Sequence, residues 1–212
     1  MKREGDKSAA EDVIGIFGGS FDPIHTGHIA VAEGALRQGV VAEVWLMVSP
    51  ENPLKRGRLH APEADRLAMA RLAVADIPEQ EIRERIKVSD FEFNMPRPSY
   101  TIDTLKALSK AYPGKKFKWI AGGDNLLTLK RWKSPDEILN SYGLILYPRP
   151  EYPSGDNLPA GVTMLRGVPP FTESSTSIRE SLARGENPSL LPIASGVAEY
   201  LVKEGKQNLY RL

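Results

Sequence analysis

Cysteine is absent from this 212-residue chain, histidine occurs only three times, and the formal net charge at pH 7 is +1. Without cysteine, the chain can form neither a disulfide framework nor a thiolate zinc site. Its small net charge does not indicate a surface that binds polyanions, so we expect no nucleic-acid partner. No apolar run approaches the roughly 20 residues that a membrane-spanning helix needs, so we also expect no membrane association.

The N-terminal segment, residues 1–11, is charged and lacks the apolar core of a secretory signal. We therefore expect a disordered tail over residues 1–11 and a cytoplasmic protein. The whole chain is 41% hydrophobic and 26% charged. This composition and the length suit one globular domain with a small addition.

Short apolar runs alternate along the chain with stretches of helical periodicity. Strands are predicted over residues 13–17, 43–48, 117–121, 142–147 and 162–165, with a further extended segment over 83–93. Helices are predicted over residues 62–75, 99–111 and 192–204, and Ser99 is the expected N-cap of the second of these. The alternation predicts an α/β fold with a doubly wound parallel sheet over residues 12–171. A small C-terminal helical subdomain is expected over residues 172–212.

The first predicted strand leads through glycines into a helix that begins near two histidines. Gly18 and Gly19 predict a tight turn that exposes backbone N–H groups, and the start of a helix favours anions. His25 and His28 are three residues apart, so both imidazoles should face the same side of the first helical turn. Because imidazole can donate a hydrogen bond to an oxygen that gains charge, this stretch predicts a phosphate site.

The residues alone leave two other interpretations of the histidine pair open. A zinc site would need further ligands, and the chain has only one more histidine, His60. The pair could also serve only in capping and packing. The glycines match neither the dinucleotide-binding fingerprint nor the Walker motif, so the sequence does not indicate those two nucleotide-binding classes.

A second run of hydroxyl residues precedes a helical pattern nearer the C-terminus. Ser174, Ser175 and Thr176 mark a helix N-terminus, where hydroxyls and free N–H groups form a second candidate anion site. Arg179 lies on the same turn and can add a two-pronged hydrogen bond to a phosphate. Alone, this motif is also typical of an ordinary capped helix. Together with the first site, it suggests that one triphosphate could bridge both helix N-termini.

Residues 18–23 (GGSFDP) followed by residues 25–28 (HTGH) resemble the signature of the HxGH nucleotidylyltransferases. Residues 173–179 resemble the same family's Ile-Ser-Ser-Thr-x-Ile-Arg motif, with Glu173 in place of the first isoleucine. More narrowly, nearly the whole chain after residue 11 resembles the bacterial nicotinate-nucleotide adenylyltransferases. The resemblance implies transfer of the adenylyl group of ATP to nicotinate mononucleotide in NAD biosynthesis. It also implies release of pyrophosphate, with Mg²⁺ on the triphosphate as cofactor.

The resemblance also implies roles for individual residues. Catalytic roles are expected for His25, His28, Lys55 and Arg179. ATP binding is expected at Gly18, Gly19, Ser20, Phe21, His25, His28, Gly122, Asp124, Ser175, Thr176 and Arg179. Binding of nicotinate mononucleotide is expected at Ser20, Lys55, Tyr100, Thr101, Trp132 and Arg149. No residue is expected to ligate a metal directly.

Several of these positions have an ordinary structural interpretation as well. Asp124 could equally cap the helix that follows it, and Arg149 could be a surface arginine. Trp132 is flanked by cations, which favours an aromatic ligand over a core position. Lys55 follows Leu54, where many members of the family have histidine, so any role of a third histidine is left open.

Two alternative functions are weighed against adenylyl transfer to nicotinate mononucleotide. The first is a sibling transferase that uses nicotinamide mononucleotide or phosphopantetheine, and the second is a non-catalytic nucleotide sensor. Trp132 with Tyr100 and Thr101 favours an acceptor that carries an aromatic ring, whereas Lys55 and Arg179 favour catalysis. The expected partners are therefore two small-molecule substrates, and a homo-oligomer is left open.

Overall fold

The computed structural model describes residues 12–50, 61–149, 158–168 and 171–210. The predicted tail over residues 1–11, the loop residues 151–157, and Leu54, Lys55 and His60 lie outside the described residues. Within the described ranges, no helix is both long enough and apolar enough to cross a membrane.

In the described part of the chain, six parallel strands form one sheet. They are β1 (Val13–Gly19), β2 (Glu43–Val48), β3 (Ile86–Ser89), β4 (Lys116–Gly122), β5 (Leu144–Tyr147) and β6 (Val162–Met164). Their order across the sheet is β3-β2-β1-β4-β5-β6, and every neighbouring pair is parallel. The direction of winding therefore reverses between β1 and β4. Open α/β sheets bind ligands at the carboxyl ends of the strands beside such a switch point.

Helices connect these strands and follow the last of them. They are α1 (Thr26–Arg37), α2 (Glu63–Ala75), α3 (Gln80–Glu84), α4 (Thr101–Ala111), α5 (Asn125–Thr128), α6 (Pro135–Glu137), α7 (Ser175–Ala183) and α8 (Ser195–Lys203). Turns of 3₁₀ helix cover Phe91–Asn94, Leu129–Arg131, Pro188–Leu190 and Lys206–Tyr210, and a π-helical turn covers Ile138–Tyr142.

Alternate side chains of the central strands enter two separate hydrophobic clusters. In β2, Val44, Leu46 and Val48 pack in the cluster that holds buried side chains of α1 and α2, whereas Trp45 and Met47 pack with those of α4. Both faces of the sheet are therefore buried, which explains why the strands have continuous apolar sequences. The predicted doubly wound parallel sheet is confirmed.

The C-terminal helices contribute to the first of these clusters. Val197 and Leu201 of α8 are buried together with side chains of β1 and α2. Asp76, at the C-terminal end of α2, accepts a hydrogen bond from Ser195 Oγ at 2.8 Å, at the start of α8. The C-terminal segment is thus packed against the α/β layers, and its description as a subdomain over residues 172–212 stays a prediction.

The predicted extended segment over residues 83–93 was wrong over most of its length. Only Ile86–Ser89 is a strand, while the residues before it are helical and Phe91–Asn94 forms a 3₁₀ turn. Elements of four or five residues are too short for hydrophobic periodicity to distinguish them. For a similar reason, the strand predicted over residues 142–147 begins only at Leu144, after a helical turn.

Candidate active site

A cleft of about 590 Å³ opens at the carboxyl ends of β1, β4 and β5, beside the switch point of the sheet. Most of the predicted site residues line it. They are Gly18, Gly19, Ser20, Phe21, His25, His28, Tyr100, Thr101, Gly122, Asp124, Trp132, Arg149, Ser175, Thr176 and Arg179. The remaining predicted residue, Lys55, lies outside the described residues. The fold therefore gathers candidates from distant parts of the sequence into one concave site, which is the usual form of a small-molecule site.

Gly18 and Gly19 are required for close packing, and the predicted tight turn at these glycines was wrong. Both lie at the end of β1, and neither has a positive φ. A Cβ on Gly18 would overlap the indole ring of Trp119, and one on Gly19 would lie 2.9 Å from the ring of Phe21. The backbone turns instead at Phe21, whose φ is 47°. The two glycines thus let aromatic rings pack against the wall of the cleft.

The two histidines stack at the start of α1. His25 is the N-cap residue and His28 lies on the first helical turn, and their ring centroids are 3.7 Å apart. The backbone N–H of His25 donates to Nδ1 of His28 at 3.2 Å. A ring nitrogen that accepts a hydrogen bond carries no proton, so the neutral His28 ring carries its proton on Nε2. The hydrogen bond from the His25 backbone therefore favours the tautomer of His28 that can donate from Nε2.

His25 is buried in the wall of the cleft, with only 8% of its surface exposed. Gly27 leaves room for it, because a Cβ there would lie 2.9 Å from Nδ1 of the imidazole. Burial, and then the positive charge of Arg149, lower the pKa of His25 to about 4, while Glu173 opposes the shift. His25 is therefore neutral at pH 7 in the free protein, and it can act as a hydrogen-bond donor without carrying a charge.

The low pKa of His25 predicts a specific loss of stability in mild acid. The unfolded chain, with a histidine pKa of about 6.5, binds a proton more readily than the folded chain between pH 6.5 and 4. The free energy of unfolding should therefore fall as the pH is lowered through this range, by up to about 3 kcal/mol from His25 alone. Denaturant unfolding of the wild type and of His25→Gln at several pH values measures the difference. Identical pH dependence in both proteins would contradict the burial of a neutral His25.

The N-terminus of α7 is attached directly to the loop between β1 and α1. Arg179 donates through Nη1 to the backbone oxygen of Asp22 at 2.7 Å, and through Nη2 to Thr176 Oγ1 at 3.2 Å. Ser175 Oγ donates to the backbone oxygen of Pro23 at 2.9 Å. The starts of α1 and α7 therefore border the same cleft, so their positive dipole ends can act on the same anion.

A second set of polar side chains borders the cleft at the carboxyl ends of β4 and β5. Arg149 donates through Nη2 to Tyr147 Oη at 3.0 Å, and its Nε lies 3.9 Å from Oδ1 of Asp124. Desolvation is the main cause of a raised pKa for Tyr147, so its hydroxyl stays protonated. A Cβ on Gly122 would overlap the Asp124 carboxylate in its present position, so a larger residue would require the Asp124 side chain to move. The alternative interpretation of Asp124 as a helix cap is not supported, since its side chain makes no capping hydrogen bond to α5.

Aromatic side chains border the other end of the cleft, near the N-terminus of α4. Tyr100 is partly exposed, and Lys133 Nζ lies 5.2 Å from the centre of its ring. Trp132 both lines the cleft and packs against the hydrophobic cluster that contains α4. The aromatic surface is thus anchored on the core side and open on the cleft side, as a flat ring ligand requires.

The family model described as cytidylyltransferase-like matches residues 16–181 of the chain. A protein of Bacteroides thetaiotaomicron named "Probable nicotinate-nucleotide adenylyltransferase" is 42% identical over 169 residues, which cover 79% of this chain and 80% of the relative. A Bacteroides fragilis protein of the same name is 41% identical over 179 residues, which cover 84% of this chain and 86% of the relative. The chain belongs to the nicotinate-nucleotide adenylyltransferase family. It is therefore a nucleotidyltransferase.

The fold of this chain also matches a solved structure. That structure is the Plasmodium falciparum nicotinic acid mononucleotide adenylyltransferase complexed with NaAD, with a TM-score of 0.75. The match covers 94% of this chain and 97% of the other, at 20% sequence identity. At this level of identity the likeness supports the fold, and it agrees with the parallel sheet described above.

Arg66 supports the candidate site through hydrogen bonds to the backbone, and the sequence analysis did not identify it. Its guanidinium is fully buried, and burial lowers the pKa of Arg66 while the nearby Asp22 carboxylate opposes that shift. It donates to four backbone carbonyl oxygens, those of Ser20, Ser49, Pro50 and Ala61. These bonds join the segments that follow β1 and β2. An arginine within an amphipathic helix gives no sign of this in the sequence, because such residues usually face solvent.

The residues that line the cleft are compatible with Mg²⁺ that is bound to a triphosphate. Among the described residues, no group of three or more His, Cys, Asp or Glu side chains could hold a metal ion. Asp124 places a half-exposed carboxylate on the wall of the cleft. Mg²⁺ commonly uses one or two carboxylates when substrate phosphates and waters supply its other ligands. The residues present are therefore compatible with a magnesium–ATP complex as the bound species.

Proposed function

We propose that this enzyme transfers the adenylyl group of ATP to nicotinate mononucleotide, which yields nicotinate adenine dinucleotide and pyrophosphate in NAD biosynthesis. A phosphate oxygen of nicotinate mononucleotide attacks the α-phosphorus of ATP. The bond from that phosphorus to the oxygen bridging to the β-phosphorus breaks, and its electron pair leaves with pyrophosphate. The observation that carries the proposal is the attachment of the α7 N-terminus to the loop before α1, with the histidine pair beside it.

The side chains at this junction act by alignment and charge stabilisation. The attacking phosphate is already an anion at neutral pH, so the reaction needs no strong base and no covalent intermediate with the protein. His28 donates from Nε2, and His25 donates as a neutral ring, to oxygens of the α- and β-phosphates that gain charge in the transition state. Arg179 and Lys55 hold the β- and γ-phosphates, with Ser175 and Thr176 at the start of α7.

The acceptor occupies the aromatic end of the cleft. Trp132 and Tyr100 stack on the nicotinate ring. The backbone N–H groups around Thr101, at the start of α4, bind the nicotinate carboxylate, because a helix N-terminus favours an anion. Ser20 and Arg149 contribute to binding the phosphate of the mononucleotide.

The adenosine side of the cleft and the metal complete the proposed site. Gly122 and Asp124 border the ribose of ATP, and Asp124 would either accept a hydrogen bond from a ribose hydroxyl or hold Mg²⁺ through a water molecule. When it is bound, Mg²⁺ neutralises charge on the departing pyrophosphate. Residues 172–212 complete the phosphate site as the proposed C-terminal subdomain, and we place the enzyme in the cytoplasm.

The function is tested by measuring pyrophosphate release from magnesium–ATP with one acceptor at a time. The acceptors are nicotinate mononucleotide, nicotinamide mononucleotide and phosphopantetheine. We expect efficient turnover with nicotinate mononucleotide, together with formation of the dinucleotide. Preferential turnover with either of the other acceptors would assign the enzyme to a sibling reaction, and ATP binding without turnover on any acceptor would indicate a sensor.

A further inference from the structure

Glu92 is a buried acidic residue at the edge of the cleft. The reaction described above assigns it no role. It lies in the 3₁₀ turn Phe91–Asn94, is only 3% exposed and lines the cleft. Its carboxylate accepts hydrogen bonds from Ser99 Oγ at 3.1 Å and from Thr104 Oγ1 at 2.6 Å. These two hydroxyl residues flank the start of α4, so Glu92 holds the segment that leads into that helix.

The bond from Ser99 to Glu92 explains why the predicted N-cap of α4 was wrong. Serine is among the best N-cap residues, and Ser99 is placed in the sequence to serve as one. In the structure the N-cap residue is Tyr100, whose side chain makes no capping hydrogen bond to the helix. The hydroxyl of Ser99 is instead engaged by the Glu92 carboxylate. The N–H groups of the first turn of α4 therefore have no cap from either residue.

We propose that Glu92 is a positioning residue for the acceptor, and that it keeps the N-terminus of α4 free for the nicotinate carboxylate. It does so by holding Ser99 away from the N–H groups that Ser99 would otherwise cap. A serine released from Glu92 would compete with the substrate, because a side-chain oxygen and a carboxylate bind the same backbone donors. This inference rests on the proposed function, since it concerns the group that binds at the start of α4.

The competition predicts an unusual result for a pair of substitutions. Glu92→Ala should raise KM for nicotinate mononucleotide about tenfold, the loss expected for a hydrogen bond to a charged group, and change KM for ATP less than twofold. Glu92→Ala/Ser99→Ala should recover at least half of that loss on a logarithmic scale, because the competing hydroxyl is gone. The conservative variant Glu92→Gln, which keeps an acceptor for one hydroxyl, should stay within about threefold of the wild type.

The kinetic constants are measured by pyrophosphate release, with thermal unfolding of each variant as a check on folding. A double variant as impaired as Glu92→Ala, or a loss shared equally between both substrates, would overturn the proposal in favour of a structural role. If Glu92→Ala does not fold, Glu92→Gln and Ser99→Ala carry the test, and a change of more than threefold in KM for nicotinate mononucleotide in Ser99→Ala would contradict the proposal. Failure of the proposed function is recognised separately, because the wild type would then not turn over nicotinate mononucleotide.

Discussion

Replacing His28 with alanine should lower kcat by about 10²- to 10³-fold, the usual loss when one donor to a developing oxyanion is removed. The backbone N–H of His25 occupies Nδ1 of His28, which lines the cleft, so a neutral His28 ring carries its N–H donor at Nε2. Because the charge on the phosphate oxygens grows towards the transition state, the loss should appear mainly in kcat and only weakly in KM. Steady-state kinetics with magnesium–ATP and nicotinate mononucleotide measure both constants.

A second substitution separates donation to the phosphates from local structure at the start of α1. His28→Asn keeps a side-chain oxygen that can accept from the His25 N–H, but it lacks the Nε2–H donor. We expect His28→Asn to unfold at nearly the wild-type temperature and to lose as much kcat as His28→Ala. Near-normal turnover in both variants would remove His28 from the proposed machinery.

Replacing Arg179 with alanine should lower kcat/KM for ATP about 100-fold. Arg179 holds the α7 N-terminus to the Asp22 backbone and presents a charged donor to the cleft, so alanine removes both functions. A charge-assisted contact to phosphate and the lost alignment together account for about 3 kcal/mol. Arg179→Lys should lie between alanine and the wild type, because lysine retains the charge but not the planar, two-pronged geometry.

Arg184, at the other end of the same helix, provides the matched control for Arg179. It is exposed and forms a salt bridge with Glu186 at 2.6 Å. Exposed pairs of this kind contribute little, and Arg184 does not line the cleft, so Arg184→Ala should leave kcat/KM within about twofold of the wild type. Equal losses in Arg179→Ala and Arg184→Ala would mean that the general charge of α7, and not the position of Arg179, supports ATP binding.

The sequence predicted the α/β layers well where an element is long and buried on both faces. The strand over residues 43–48 was predicted to the residue, because its apolar run is continuous and both of its faces pack against helices. The helix predicted over residues 99–111 is observed over Thr101–Ala111, but the predicted N-cap was wrong. Propensity favours Ser99 as a cap, and a tertiary contact with Glu92 overrides that preference.

Site residues that belong to a sequence motif could be predicted. Residues whose role depends on packing in the folded chain could not. The three-residue spacing of His25 and His28 predicted that their rings face the same side, and the structure brings the rings together, although His25 is the N-cap residue with an extended backbone. The role of Gly18 was misassigned because the ring that requires it, Trp119, comes from another strand of the sheet. Arg66 could not be identified at all, since its four carbonyl partners come together only in the folded chain.

The proposed mechanism requires the N-termini of α1 and α7 to bind one triphosphate between them. A crystal structure of the wild-type enzyme with magnesium and a non-hydrolysable ATP analogue would show whether they do. We predict that the phosphates lie between residues 18–28 and 174–179, with oxygens within hydrogen-bonding distance of His28 Nε2 and the Arg179 guanidinium. A triphosphate bound elsewhere, or one that contacts only a single helix N-terminus, would rule out this shared phosphate site.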